Sequence, residues 1–327
     1  MAHSTKEEVL IELDRTLITD VTTFLKPIES SWQPADLLPV ASDSTFTQEL
    51  LGLQQKASEL SEDLLVVLVG DTITEEALPS YESWLYTMKP APVDRNSGWH
   101  QWIRGWTAEE NRHGDILNRY LYLSGRINMR ELEISTQYLL ADGFDVGTAQ
   151  DPYKTFIYTS FQELATNISH RRVATLAKKS GNDVLARICA LIASDEARHA
   201  KAYQTFASRI FEWDTDEMIC AFEIMMRKNI LMPAHFLRET GQTAGTAFTH
   251  FAHAAQRIGV YTTIDYIEIL EGLIEEWRIS HWQPKTEASK KAQQFLIGLP
   301  ARLTRMEQRM RPAPAAHSFS WINRESQ

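Results

Sequence analysis

Only 2 of the 327 residues are cysteine, too few for a disulfide framework or a cysteine zinc site. Cys189 and Cys220 both sit in apolar, helix-like contexts and read as small buried hydrophobes. Glycine (14) and proline (12) are sparse, and no Ser/Gly- or Pro-rich linker interrupts the middle of the chain. The expectation is one mostly helical domain over 1–327, with 1–25 and 312–327 as peripheral segments. Long apolar runs are missing as well: Leu64–Val69 and Ile188–Ala193 are far too short to span a bilayer. Positive charge is in deficit, 33 Lys and Arg against 43 Asp and Glu, a formal net charge of −10 that disfavours nucleic acid as a partner. The opening Met-Ala-His-Ser-Thr-Lys-Glu-Glu has neither a signal-peptide apolar stretch nor transit-peptide composition, so a soluble protein of a reducing cytoplasm is expected.

What is present is charge where none is expected. Trp99, Ile103, Trp106, Glu110, His113, Leu117 and Tyr120 step by four and three along one helical face. Ile188, Ile192, Glu196, His199, Tyr203, Phe206 and Ile210 repeat the pattern, again with Glu-x-x-His in mid-stripe. A lone carboxylate in an apolar core costs several kcal/mol, roughly, and persists when paired, protonated or metal-bound. Two such motifs plus one Glu from each of two further helices make the ligand set of di-iron carboxylate bundles. A third stripe, Phe156, Thr159, Glu163, Thr166, His170, Val173 and Ala177, supplies Glu163, and the segment after Leu64 supplies Glu75. Spacing of i, i+3 puts a carboxylate and an imidazole about 5–6 Å apart at Cβ. Oxygen and nitrogen donors without thiolate suit iron or manganese, and bridging glutamates would allow two ions. Glu109 and Glu76, one residue along, rotate about 100° off the face and are not expected as ligands. Asp195 is either a partner orienting an imidazole or half-exposed.

Further helices are expected across 45–60, 64–86, 130–140, 153–179, 183–212, 214–231, 234–256, 264–280 and 287–310. The Leu-Leu-Val-Val-Leu-Val run beginning at Leu64 has strand propensity, but the segment continues without a turn to Tyr86, too long for a strand. Pro79 should kink this helix near Glu75.

Glu-Glu-Asn-Arg-His-Gly-Asp, Tyr-Leu-Tyr-Leu-Ser-Gly-Arg, Phe-Ile-Tyr-Thr-Ser-Phe-Gln-Glu, Asp-Glu-Ala-Arg-His and Gly-Asp-Thr-Ile-Thr-Glu-Glu-Ala-Leu-Pro closely resemble segments of the soluble acyl-acyl carrier protein desaturases of the plant stearoyl type. The resemblance runs from Lys26-Pro27 to Phe319-Ser320-Trp321. It implies an all-α, ferritin-like di-iron bundle with additional helices, two Fe per chain, and Glu75, Glu110, His113, Glu163, Glu196 and His199 as ligands. It also implies a homodimer that uses O2 and reduced ferredoxin to insert a cis double bond into an acyl chain on acyl carrier protein. For a plant protein the plastid stroma would be the location. In this family the threonine matching Thr166 lies on the oxygen side, though its hydroxyl could equally bond back to the preceding turn. The tryptophan matching Trp32 is placed on an electron path through His113 and Asp195; simple packing is the alternative. A ferritin-like storage protein, or another di-iron oxidase or hydroxylase, would share the ligand set.

Docking of an acidic carrier protein calls for a local basic patch. Lys26, Arg227, Lys228 and the helical face of Arg302, Arg305 and Arg309 are the candidates. If the helix of Glu75 ran straight, Trp84 would lie about 13.5 Å and Met88 about 20 Å further along its axis. That places Trp84, Met88, Thr155 and Phe156 at the methyl end of an acyl pocket. The plant stearoyl enzymes carry smaller residues where this chain has Trp84 and Thr155, which suggests a pocket for chains shorter than eighteen carbons.

Overall fold

Long stretches without glycine or proline, each with one apolar face, have one stable outcome: helices stacked on helices. The computed structural model describes residues 5–88, 96–309 and 317–323. The helices are α1 (Thr5–Phe24), α2 (Phe46–Ser58), α3 (Glu62–Glu76), α4 (Leu78–Tyr86), α5 (Gly98–Ser124) and α6 (Met129–Asp142). They continue as α7 (Pro152–Lys179), α8 (Asp183–Trp213), α9 (Thr215–Lys228), α10 (Phe248–Arg257), α11 (Thr263–Glu276) and α12 (Glu287–Glu307). Among the described residues there is no strand, only an isolated bridge between Ile127 and Ile322. No described helix is long and apolar enough to cross a membrane.

The helices that matter for chemistry start and stop on local signals. The Ser97 hydroxyl accepts from His100 N at the head of α5, which ends at Gly125 with φ 69°, a left-handed position that suits glycine. Asp151 caps α7 by accepting from the amides of Tyr153 and Lys154, with Pro152 in the first turn where its missing N–H costs nothing. Asn182 caps α8 through Leu185 N. The tight Ser180–Asn182 connection turns α7 back along α8, the most extensive helix pair in the molecule. Glycine permits two close approaches. A methyl at Gly70 would overlap the Phe251 ring, so α10 lies flat on α3. At Gly114 a Cβ would stand 3.1 Å from Glu76 Cγ and 3.3 Å from the Glu75 carbonyl carbon, so α5 closes on the end of α3.

Four expectations need correction. The Leu64 run is helical as expected, but the 64–86 segment is two helices rather than one kinked one. Helix α3 stops at Glu76, and Pro79 sits in the first turn of α4, so the straight-axis distances from Glu75 to Trp84 and Met88 do not hold. The 234–256 helix is absent over most of its length. A 3-10 turn at Pro233–Phe236 is followed by a loop closed on Leu237 O, which accepts from Gly245 N and Ala247 N, with Gly241 and Gly245 at φ 79° and 84°. The N-terminal segment is not peripheral: α1 packs on α5 and α8, burying Val9, Leu13 and Leu17, and Asp20 pairs with Arg209 of α8. Nor is the described part of the C-terminal segment, 317–323, since Trp321 is fully buried with its indole N–H on Ser135 Oγ at 2.8 Å; the rest of 312–327 lies outside the described residues.

Candidate metal centre

Helices α5 and α8 bring their Glu-x-x-His motifs face to face, α3 ends alongside them, and α7 supplies the fourth wall. Glu110, His113, Glu163, Glu196 and His199 are each at most 5% exposed, and the Glu75 side chain is 8% exposed. Their donor atoms converge in two groups, each within 4.8 Å: Glu75, Glu110, His113 and Glu196, and then Glu110, Glu163, Glu196 and His199. Glu110 and Glu196 belong to both. The arrangement offers two positions, each with one imidazole and one carboxylate of its own, joined by two shared carboxylates.

The polar atoms here meet without hydrogen bonding. His113 Nδ1 lies 3.0 Å from Glu110 Oε2 and 3.2 Å from Glu196 Oε1, and His199 Nδ1 lies 2.6 Å from Glu110 Oε1. Yet His113 Nδ1, His199 Nδ1 and Glu110 Oε1 are buried with no aligned hydrogen-bond partner. Buried polar atoms are nearly always satisfied, so lone pairs aimed at common points in a protein core fit a cation rather than one another.

The outer faces differ: His199 is held by a hydrogen-bond contact, while His113 Nε2 faces its acid without an aligned hydrogen bond. His199 Nε2 is 2.9 Å from Glu109 Oε2, and His113 Nε2 is 3.5 Å from Asp195 Oδ2. Arg198 joins these two acids, at 2.7 Å to Glu109 and 2.5 Å to Asp195, and Arg112 reaches Asp195 at 3.3 Å. Asp195 also accepts from Lys26 Nζ at 3.3 Å and Trp32 Nε1 at 2.9 Å. The acid of each motif thus backs the histidine of the other, which fixes ring orientation from behind. Of the two readings of Asp195, half-exposed is excluded: the residue is 0% exposed. Three carboxylates have a single donor each: His170 Nε2 on Glu75 at 3.0 Å, Trp106 Nε1 on Glu163 at 3.2 Å, and Thr166 Oγ1 on Glu196 at 2.8 Å. The Thr166 hydroxyl also lies 3.1 Å from Glu163 O and 3.2 Å from Gln162 O, so its one proton serves one of three acceptors. Trp32 stacks on the His113 ring, centroids 6.1 Å apart at 8°, and the Arg112 guanidinium carbon lies over the Trp32 ring, 4.7 Å from its centroid.

Glu109, Arg198 and His170 were missed in the sequence. Glu109 does point off its own helix's stripe, but α8 reaches it. The signal was there in a longer repeat, acid-Glu-x-Arg-His, at Glu109–His113 and again at Asp195–His199.

An apolar cavity of about 370 Å³ reaches this centre from the surface, lined by Val67, Phe161, Phe251 and Tyr266 and ending on Glu75 and Thr166. Trp84, Met88, Thr155 and Phe156 do not line it. Trp84 donates to Thr148 Oγ1 at 3.0 Å and meets Tyr158 edge-on at 5.6 Å, while Phe156 packs against Trp99 at 5.4 Å. Thr155 and Met88 are buried.

Without cations the centre balances charge with protons. Burial pushes Glu75 up to about 7 against the pull of His170, and it pushes Glu163 well above the carboxylate range with help from the Glu196 charge. Burial alone would depress both imidazoles, but the carboxylates, Glu110 foremost, hold His113 and His199 well above their ordinary value. The same imidazoles outweigh burial at Glu110 and bring it down to about 2. Asp195 is held well below the usual range despite burial, chiefly by His113 and Arg198. The signs follow: the raised imidazoles stabilise the metal-free fold below about pH 6.5 and less as pH rises through their folded values, while the depressed acids stabilise it above about pH 4 and less as pH falls towards 2. Divalent ions must displace the protons on His113, His199 and Glu163. Titration calorimetry in buffers of different ionisation enthalpy should therefore show protons released as the centre fills near neutral pH, with affinity falling as pH is lowered. Metal uptake without proton release would contradict the geometry.

A bundle of helices enclosing paired carboxylate–imidazole groups is the ferritin-like architecture of the di-iron carboxylate proteins. The chain belongs to the fatty acid desaturase family, whose profile matches residues 5–323. It is 45% identical over 324 residues to stearoyl-[acyl-carrier-protein] 9-desaturase 1, chloroplastic, of Arabidopsis thaliana, covering 97% of this chain and 82% of that one. It is 42% identical over 325 residues to palmitoyl-[acyl-carrier-protein] 4-desaturase 3, chloroplastic, of Ophrys sphegodes, covering 97% and 81%. In fold it is similar to DesA2 of Mycobacterium tuberculosis H37Rv, described as a candidate acyl-ACP desaturase, with a TM-score of 0.53 at 17% identity over 87% of this chain and 99% of that one.

Proposed function

We propose that this chain inserts a cis double bond into a saturated acyl chain carried on acyl carrier protein, at a centre of two irons held by Glu75, Glu110, His113, Glu163, Glu196 and His199. The observation that carries this reading is the apolar cavity that ends on Glu75 and Thr166, because it brings a chain of methylenes to the centre. Two hydrogens leave adjacent carbons, and with O2, two electrons and two protons the products are an alkene and two waters. Iron, when bound, supplies the oxygen activation and one-electron chemistry that side chains lack. The protein's own part is placement and dryness. Glu109, Asp195 and Arg198 fix the imidazoles, His170, Trp106 and Thr166 fix the carboxylates, and the apolar walls exclude water. Trp32, between Asp195 and the His113 ring, is the proposed entry for electrons from reduced ferredoxin. A homodimer and a soluble plastid or cytoplasmic setting complete the reading. A storage protein has no use for an apolar cavity, and a hydroxylase would leave an alcohol. Mass spectrometry after incubating iron-loaded protein with acyl carrier substrate, ferredoxin, its reductase and NADPH should find an alkene; an alcohol or unchanged acyl chain would overturn the proposal.

The cavity mouth suits an acidic carrier. Arg227 and Arg302 both lie over the Phe295 ring, at 3.9 and 4.5 Å, and Arg302, Arg305 and Arg309 are exposed. Leu303, between Arg302 and Arg305, lines the cavity itself. Lys26 is better placed behind the centre, with its ammonium on Asp195, than on this surface. Charge reversal in Arg305→Glu should raise KM for the acyl carrier substrate about tenfold at low salt and leave iron content unchanged; steady-state kinetics at two ionic strengths checks it, and an unchanged KM removes this surface.

Relatives acting on eighteen- and sixteen-carbon chains are nearly equally similar, so chain length must be read from the pocket. Trp84 lies outside the open cavity; we propose that a bound chain continues past the centre beside Leu78 and Tyr81, and that Trp84, which contacts Thr148 and Tyr158, sets its methyl end. Competition between sixteen- and eighteen-carbon substrates should favour sixteen in the wild type, and Trp84→Leu should move the ratio towards eighteen. A wild type that favours eighteen, with a ratio untouched in the variant, would defeat the assignment.

A further inference from the structure

The apolar cavity ends outward in a polar rim of Asn229, His235, Gln256 and Thr262. No Lys or Arg lines it, whereas Asp71 and Glu75 do. Glu75 lies at the inner end, paired with His170 at 3.0 Å, so what the rim lacks is a Lys or Arg to pair a free fatty carboxylate, and it suits a neutral head. Two of its polar groups are already spent: His235 Nδ1 takes Met232 N at 2.9 Å, and the Thr262 hydroxyl donates to Asp265 at 2.7 Å. The carboxamides of Asn229 and Gln256 make no hydrogen bond among the described residues, and each offers one acceptor and two donors. Asn229 is also held at φ 60°, ψ 153°, a backbone region that is almost exclusive to glycine. A side chain kept at such a position, on the rim of a cavity that leads to the centre, is strain retained where a ligand passes.

We propose that Asn229 and Gln256 form an amide clamp that recognises the neutral, amide-bearing thioester arm on which a carrier presents its acyl chain, so that the rim itself selects against free fatty acids. The proposal rests on the acyl-carrier reading above and adds to it the residues that read the arm. Each carboxamide pairs donor to carbonyl and acceptor to N–H with a secondary amide, while the chain beyond the thioester lies among Phe251, Tyr266 and Phe161.

The test uses the iron-loaded protein and two probes of equal chain length, dodecanoyl-pantetheine and dodecanoic acid, with Kd measured by calorimetry. The wild type should bind the thioester about tenfold more tightly than the acid. The double variant Asn229→Gly/Gln256→Leu should lose about tenfold in thioester affinity while its affinity for the acid stays within about twofold. Glycine suits φ 60°, so folding is preserved and thermal melting confirms it. A variant that keeps the thioester affinity, a wild type that binds the acid equally well, or a wild type that binds neither probe overturns the clamp. The desaturase reading is scored separately, by alkene formation in the wild type: alkene without probe selectivity fails the clamp alone, and selectivity without alkene fails the desaturase reading alone.

Discussion

Glu196→Ala should leave at most a trace of bound iron and no measurable desaturation, a loss far beyond the roughly 10–100-fold that removal of an outer partner costs a metal site. Glu196 is one of two carboxylates common to both donor groups, so its truncation takes a ligand from each position at once. It also deprives the Thr166 hydroxyl of its 2.8 Å acceptor and leaves His113 Nδ1 facing only Glu110 and Glu75. The metal-free fold should not suffer equally, since the variant has one fewer carboxylate among like charges in an apolar core. Iron analysis together with thermal melting of the metal-free protein separates the two effects. Full iron occupancy in the variant, or a collapse of the metal-free fold, would refute the role assigned to Glu196.

Arg198→Met should be the most damaging change outside the six ligands. Its guanidinium joins Glu109 and Asp195, which are 4% and 0% exposed and stand behind His199 and His113. Removing one partner of a buried ion network strands the others, at a cost of about 3–5 kcal/mol. Because both imidazoles lose the tethering of their backing acids, iron affinity should fall by about 10–100-fold as well. Lysine is a poor replacement, since a point charge cannot hold two carboxylates as a planar fork does. Denaturant midpoints with and without metal, alongside competition with a chelator, check both halves. A variant with wild-type stability would show that Lys26 and Arg112 suffice to compensate the two acids.

The ligand set was legible because burial and chemistry disagree along a periodic stripe: a 3.6-residue repeat says which residues face inward, and Glu110, His113, Glu163, Glu196 and His199 are the inward residues that should not be there. What the stripe cannot supply is what a neighbouring helix brings. Glu109 faces off its own stripe, yet α8 delivers His199 and Arg198 to it. His170, in the third stripe, gave no sign that Glu75 would come within 3.0 Å, because that contact joins residues 95 apart on two different helices. Similarly, the cavity could not be located without knowing that the 237–247 segment is a loop and that α10 begins only at Phe248, which turns Phe251 and Gln256 towards it. The docked Trp321, 186 residues from Ser135 in sequence, is likewise a long-range contact with no local signature.

Central to the account is the claim that the paired motifs create two adjacent metal positions sharing Glu110 and Glu196. Anomalous diffraction at the iron edge from crystals of iron-loaded protein tests it most directly. Two iron peaks between α3, α5, α7 and α8, roughly 3.5–4 Å apart, one beside His113 and Glu75 and the other beside His199 and Glu163, are the expected result; a single peak, or iron bound away from these six residues, would contradict it.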